Sequence, residues 1–173
     1  MAAAPMSPPA LLSELEPVVA GLLERHLAQS KEWFPHQLVP YGQGRDFEAG
    51  YEWSPEETAL PATVRSALFV NLLTEDNLPY YFGAIESTFG RHAAWGEWNR
   101  RWTAEEGRHA IVIRDYLVVT RNIDPVALER GRMQNVLTGY DHDVDVLQGL
   151  AYTSFQELAT RVSHQNTGRY SDD

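Results

Sequence analysis

The 173-residue chain contains no cysteine. Disulfide bonds, zinc–thiolate sites, iron–sulfur clusters and thiol nucleophiles are therefore excluded, and any bound metal must rest on carboxylate, imidazole and water. Basic residues are also scarce, with 14 Lys and Arg against 24 Asp and Glu, so the net charge is -10. This charge argues against nonspecific binding to nucleic acid or to anionic membranes, because both require a basic surface.

Long apolar runs are missing as well. No stretch approaches the roughly 18 apolar residues of a membrane span, and the N-terminal sequence MAAAPMSPPA lacks the basic and apolar regions of a signal peptide. We therefore expect a cytoplasmic protein without a membrane span. A hydrophobic fraction of 43% in this length predicts a single domain over 1–173, with flexible ends at 1–7 and 168–173.

Apolar residues recur at helical spacing through most of the chain, and no segment alternates with period two for long enough to form a strand. Residues 30–60, rich in glycine, proline and aromatic side chains, are expected to be irregular, and the acidic loop around His142 is expected to be solvated. The chain is therefore predicted to be all-α. The predicted helices cover about 8–29, 61–89 with a kink before Pro79, 92–121, 124–139 and 144–164.

Acidic residues interrupt the apolar stripes of three predicted helices. In the helix over 92–121, Glu106 and His109 lie three residues apart on the stripe that also carries the tryptophans, whereas Glu105 points elsewhere. Glu75 interrupts a leucine stripe in the second helix, and Glu157 lies at the centre of a stripe in the last helix. Three helices thus each direct one glutamate inward.

A shared metal ion would explain these carboxylates. An unpaired buried carboxylate costs several kcal/mol, and one cation offsets all of them together. Oxygen-rich ligation with one imidazole suits iron or manganese better than zinc or copper. Simpler readings stay open: a surface Glu-x-x-His, an arginine partner for Glu75, or Glu157 as an ordinary acid in a helix that carries Arg161.

Three stretches resemble the soluble acyl-acyl carrier protein desaturases. They are LLTEDNLPYY (72–81), WNRRWTAEEGRHAIVIRDYLVVTRNID (98–124) and YTSFQELATRVSHQNTGR (152–169). The resemblance implies a ferritin-like helical bundle of the di-iron carboxylate type. It also implies dioxygen-dependent introduction of a cis double bond into an acyl chain on acyl carrier protein. Electrons would come from a ferredoxin-type donor, and the protein would be a homodimer.

The resemblance also implies roles for individual residues. It assigns four iron ligands. Glu75 would be a terminal ligand of the first iron, which His109 would also bind. Glu106 would bridge the two irons, and Glu157 would be a terminal ligand of the second. Thr160 would lie close to the oxygen-binding face, and Trp102 would lie beside the two irons. Arginines of the helix over 92–121 are candidates for carrier-protein docking, namely Arg100, Arg101, Arg108, Arg114 and Arg121.

Two departures from the family pattern stand out. The chain has EEGRH where the family usually has EENRH, and Gly107 costs a helix interior about 1 kcal/mol relative to alanine. More seriously, the second Glu-x-x-His of the family is missing, because only His109 has an acid three residues before it. We expect a piece of a longer protein. The alternatives are a degenerate, non-catalytic helical protein that dimerises or binds a partner, and a different ferritin-like oxidase or iron-storage protein.

Overall fold

The structure, a computed structural model, describes residues 6–140 and 144–171. Within these two stretches the regular structure is entirely helical, which confirms the all-α prediction. The α-helices of this part of the chain are α1 (Pro8–Gln29), α2 (Ala62–Glu75), α3 (Leu78–Phe89), α4 (Ala93–Val119), α5 (Pro125–Thr138) and α6 (Val146–Ser171). Short 3-10 turns at Pro35–Gln37, Tyr41–Gln43 and Pro55–Glu57 punctuate the segment between α1 and α2.

The predicted kinked helix over 61–89 is wrong, because it consists of two separate helices. Pro79 has no amide hydrogen, and its ring would collide with the carbonyl four residues earlier, at Glu75. The chain responds by ending α2 at Glu75 and starting α3 at Leu78. Glu75 therefore stands at the C-terminal end of α2, where the helix dipole favours a nearby cation.

The ends of α5 follow the sequence prediction. The Asp124 carboxylate accepts hydrogen bonds from the amides of Val126 and Ala127, Pro125 occupies the first turn, and Gly139 ends the helix with φ 76°. The last helix differs, since α6 continues to Ser171 instead of ending near His164 and includes 168–171 of the expected tail. The solvated loop predicted around His142 lies outside the described residues.

Two buried clusters form the core. Leu72, Leu117 and Leu128 are fully buried and join α2, α4 and α5. Phe89 and Trp95 stack with ring centroids 5.1 Å apart in the second cluster, which joins α3, α4, α6 and the leucines of α1. Trp95 thus serves core packing, and α4 makes contacts with α1, α2 and α3.

The irregular segment between α1 and α2 is packed against the end of α4 by Arg121. This arginine has φ 60° and is only 7% exposed. Its Nη2 donates hydrogen bonds to the carbonyls of Arg45 and Asp46, and its guanidinium lies 3.3 Å from the centroid of the Phe47 ring. The prediction of Arg121 as a docking residue for a carrier protein is therefore wrong, because its side chain is buried inside this chain.

Helix α6 carries apolar side chains on two sides. One side faces α3 and α2, whereas Tyr152, Phe155, Leu158 and Val162 follow one another at helical spacing and are exposed. We call these four residues the α6 stripe. Helices with apolar side chains on two opposite sides are typically packed against other polypeptide on both of them. No helix in the described stretches has the length and apolar character needed to cross a membrane.

Candidate metal centre

The end of α2 and the middle of α4 bring three predicted ligands together. One donor atom from each of Glu75, Glu106 and His109 lies within 4.8 Å of the other two. Nδ1 of His109 is 2.6 Å from a Glu106 carboxylate oxygen and 3.6 Å from Oε2 of Glu75. The adjacent Glu105 turns away, as the helical spacing predicts, and pairs with His26 at 2.8 Å. We call Glu75, Glu106 and His109 the ligand cluster.

The ligand cluster carries its own positive charge. Hydrogen bonding to Glu106, and then to Glu75, raises the pKa of His109 to about 10. The imidazolium therefore neutralises part of the carboxylate charge in the metal-free chain. The ring also stacks on Trp33, with centroids 5.8 Å apart, and Arg108 holds that tryptophan by a hydrogen bond to its carbonyl.

Glu157 stands apart from the ligand cluster. It lines a pocket together with Glu75 and Glu106. Its carboxylate is not among the donor atoms that lie within 4.8 Å of one another. Desolvation, and then the charge of Glu106, raise the pKa of the Glu157 carboxyl, although much of the residue remains exposed. The described contacts include no ion pair between Glu157 and Arg161, so the reading as an ordinary paired acid gains no support.

Trp102 and Thr160 also reach this pocket. The buried Nε1 of Trp102 makes no hydrogen bond of normal geometry, yet the indole is close enough to Glu157 to favour the charged carboxylate. Thr160 uses its hydroxyl within α6, where it donates to the carbonyl of Gln156 at 3.1 Å. The structure therefore places both residues beside the carboxylates without giving either a direct bond to the ligand cluster.

An apolar pocket extends from the carboxylates between α3, α4 and α6. The empty space within and around it, including open solvent, is about 820 Å³. Concave, mostly apolar pockets with a few converging polar groups are typical of small-molecule sites. The residues that line it away from the carboxylates include Tyr81, Ala84, Ile85, Phe89 and Gly149.

A second, wider groove opens the site from another side. It lies between α1, α4 and α6, is about 1320 Å³ in volume including solvent space, and reaches both Glu106 and Glu157. Leu22, Trp98 and Trp102 line it. The carboxylates are therefore accessible from a pocket on one side and from an open groove on the other.

Two histidines that sequence reasoning left unpaired have partners in the structure. His164 of α6 lies with Nε2 3.8 Å from Oε1 of Glu75 and Nδ1 3.3 Å from the amide nitrogen of Asn71. His26 of α1 pairs with Glu105. The shared stripe of His164 and Glu157 was a partial signal, but the contact with α2 depends on how the two helices pack.

Helices that gather two glutamates and a histidine at the head of an apolar pocket could hold a metal ion, as carboxylate–histidine helical bundles do. A family model for fatty acid desaturases matches residues 9–173, and the chain belongs to this family. It is 45% identical to DesA1 and 41% identical to DesA2 of Mycobacterium tuberculosis, both named acyl-[acyl-carrier-protein] desaturases, over 94% and 91% of its length.

The similarity extends to a solved structure. The X-ray structure of the acyl-ACP desaturase DesA2 from Mycobacterium tuberculosis H37Rv matches with a TM-score of 0.58 and 40% identity over 77% of this chain. The prediction of a ferritin-like helical fold is thereby confirmed. The chain covers 52% of DesA1 and 58% of DesA2, so it spans about half the length of these relatives.

Proposed function

We propose that this chain is part of an acyl-[acyl-carrier-protein] desaturase and supplies the ligands of one iron, and some of those of the second, in a di-iron centre. The observation that carries the proposal is the ligand cluster, in which Glu75, Glu106 and His109 meet at the head of an apolar pocket. The reaction would be the oxygen-dependent introduction of a cis double bond into a saturated acyl chain. Identity of 45% to a protein named for this activity supports it.

The donor set fits iron. Two carboxylates and one imidazole match the ligands of iron or manganese, and the absence of thiolates disfavours softer metals. Glu75, Glu106 and His109 would hold one iron, while Glu157 and the shared Glu106 would hold a second. Bound iron would supply the activation of dioxygen, and the protein supplies ligand placement and the shape of the site.

The apolar pocket would orient the acyl chain. Its walls from α3 and α6 would exclude water from the methylene groups, and the carboxylates at its head would hold the metal beside them. Trp102 and Thr160 would border the reacting carbons, in keeping with their places on the pocket wall. Acyl carrier protein as substrate carrier, a ferredoxin-type electron donor, a cytoplasmic location and a homodimer belong to the same proposal.

The donor set is half of a complete centre. Di-iron carboxylate bundles take a Glu from each of two helices and a Glu-x-x-His from each of two others, and this sequence contains only Glu106–His109 as such a pair. The groove between α1, α4 and α6 leaves Glu106 and Glu157 open on the side where a further helix would fit. We infer that the second imidazole comes from polypeptide outside these residues, so the chain alone holds one metal tightly.

Anaerobic reconstitution with ferrous iron tests the proposal. The wild-type chain should retain about one tightly held iron, Glu106→Gln should retain none, and Glu105→Gln should match the wild type, because Glu105 faces His26. Far-ultraviolet circular dichroism would verify that all three chains are equally helical. Equal iron loss in both variants would contradict the assignment of the ligand cluster.

A non-catalytic role as a partner-binding helical protein is the second candidate. The α6 stripe favours it, since four exposed apolar residues in a row suit a protein–protein contact. A wild-type chain that is fully helical yet holds no iron would support this alternative and would count against the desaturase proposal for the chain by itself.

A further inference from the structure

Helix α6 contacts the candidate metal centre through His164. Its Nε2 lies 3.8 Å from Oε1 of Glu75, and its Nδ1 lies 3.3 Å from the amide nitrogen of Asn71. Asn71 and Glu75 are four residues apart in α2 and share one face of that helix. The imidazole of α6 therefore spans one turn of α2, with a different ring nitrogen facing each residue.

The two contacts define which nitrogen carries the hydrogen. The amide nitrogen of Asn71 is a donor without acceptor capacity, so the facing Nδ1 of a neutral His164 accepts. The hydrogen then resides on Nε2, the nitrogen that lies 3.8 Å from Oε1 of Glu75. The other oxygen of that carboxylate, Oε2, lies 3.6 Å from Nδ1 of His109. Each oxygen of Glu75 thus faces a different histidine.

We propose that Asn71 and His164 are positioning residues for Glu75, an inference that rests on the proposed metal-binding function. At 3.8 Å the Nε2–H group of His164 lies beyond direct hydrogen-bond distance of Oε1 and attracts it electrostatically. Asn71 fixes the tautomer that places this hydrogen on the Glu75 side, and Oε2 faces His109. His164 is outside the group of donor atoms that meet within 4.8 Å, so it acts through Glu75. Outer partners that orient a metal ligand typically change metal affinity about 10- to 100-fold.

The arrangement has a consequence for α6 as a whole. Glu157 and His164 lie on the same helix, two turns apart, and both are directed toward the carboxylates. The placement of α6 therefore sets the position of one proposed ligand directly and the orientation of another, Glu75, indirectly.

The first test needs no metal. Long-range proton–nitrogen correlation spectra of the nitrogen-15-labelled chain, recorded where His164 is neutral, should show the hydrogen on Nε2. Asn71→Leu should remove that preference, because it removes the donor to Nδ1. A hydrogen on Nδ1 in the wild type, or an unchanged spectrum in Asn71→Leu, would overturn the proposal even if the chain bound no metal.

The second test uses cobalt(II) as an air-stable substitute for ferrous iron, titrated into the folded chain. His164→Leu should weaken binding about 10- to 100-fold. His164→Gln should stay near the wild type, because its amide nitrogen also donates toward Glu75. The control is Gln165→Leu at the next, exposed position of α6, which should have no effect.

The outcomes separate the two proposals. Equal weakening by His164→Leu and His164→Gln, or no weakening by either, would overturn the positioning role. A wild-type chain that binds no cobalt would instead count against the proposed metal-binding function, and the tautomer measurement alone would then decide the role of His164.

Discussion

His109 couples metal binding to protons. Its pKa of about 10 in the metal-free chain means that the imidazole is protonated at neutral pH, whereas a metal needs the free nitrogen lone pair. Cobalt affinity should therefore rise about tenfold per pH unit between about pH 6.5 and 8, with about one proton released per metal. Calorimetry in buffers of different ionisation enthalpy would measure the release, and a flat profile would contradict the assignment.

The same proton affects the stability of the metal-free fold. The folded pKa of about 10 exceeds the ordinary value of 6.5, so the folded chain holds this proton more tightly than the unfolded chain. The stabilising contribution is full below about pH 6.5 and is lost as the pH rises through about 10. A metal that displaces the proton also removes this contribution and replaces it with its own bonds.

Sequence reasoning reached part of the site at this scale. Glu106 and His109 are three residues apart on one helix, so their contact is a local consequence of helical geometry, and the separation from Glu105 follows in the same way. The distance of Glu157 from the ligand cluster and the contact of His164 with Glu75 were missed. Both depend on the rotation and height of α6 against α2, which helical periodicity within α6 does not encode.

Helix α4 contains two glycines with opposite surroundings. A Cβ at Gly107 would meet only Cδ2 of Leu78 at 3.9 Å, an ordinary contact, whereas a Cβ at Gly96 would lie 2.1 Å from the carbonyl oxygen of Arg91. Gly107→Ala should therefore stabilise the chain by about 1 kcal/mol, because alanine loses less backbone entropy in a helix. Gly96→Ala should destabilise it by more than about 2 kcal/mol, because backbone atoms cannot move aside.

Urea unfolding of the metal-free chain would measure both glycine variants. For a chain of this size, 1 kcal/mol corresponds to roughly 2–4 °C in Tm, so thermal melts provide a second reading. A Gly107→Ala chain that unfolds at or below the wild-type midpoint would show that glycine at this position of the EEGRH motif is required for packing.

Element boundaries were predictable where the signal was local. The Asp124-Pro125 start and the Gly139 end of α5 both follow from capping chemistry. Pro79 predicted an interruption of the second helix. That the interruption is a full break between two helices, and not a kink, is seen only in the backbone of the structure. The role of Arg121 was also hidden, since its partners are carbonyls and aromatic rings more than 60 positions away in the sequence.

At the scale of the whole molecule, the ferritin-like fold followed from the helical pattern and the family resemblance, whereas the location of the open surface depends on how the helices pack. Helical stripes show that a side is apolar but not what covers it. In this structure α1, α2 and α3 cover α4, while the α6 stripe and the groove beside Glu106 and Glu157 remain open. The groove is lined by Leu150 and Glu157 of α6, whereas Phe155, Leu158 and Val162 of the α6 stripe lie on another side of the same helix.

The exposed α6 stripe predicts concentration-dependent association of the chain through α6. Phe155 and Leu158 are 74% and 59% exposed at the centre of the α6 stripe, and burying them against a second surface removes apolar area from water. Sedimentation velocity of the double variant Phe155→Gln, Leu158→Gln should show a predominantly monomeric chain at concentrations where the wild type associates. The matched control is Met133→Gln, Leu137→Gln on α5, whose side chains are comparably exposed, at 64% and 78%.

If the α5 variant abolished association instead, the contact would lie on α5, and the predicted role of the α6 stripe in association would be contradicted. If the α6 variant abolished it while both variants still held cobalt, the stripe would be a binding surface that the ligand cluster does not need for its first metal. The proposed second metal would then be tested separately, by adding polypeptide that supplies a second Glu-x-x-His.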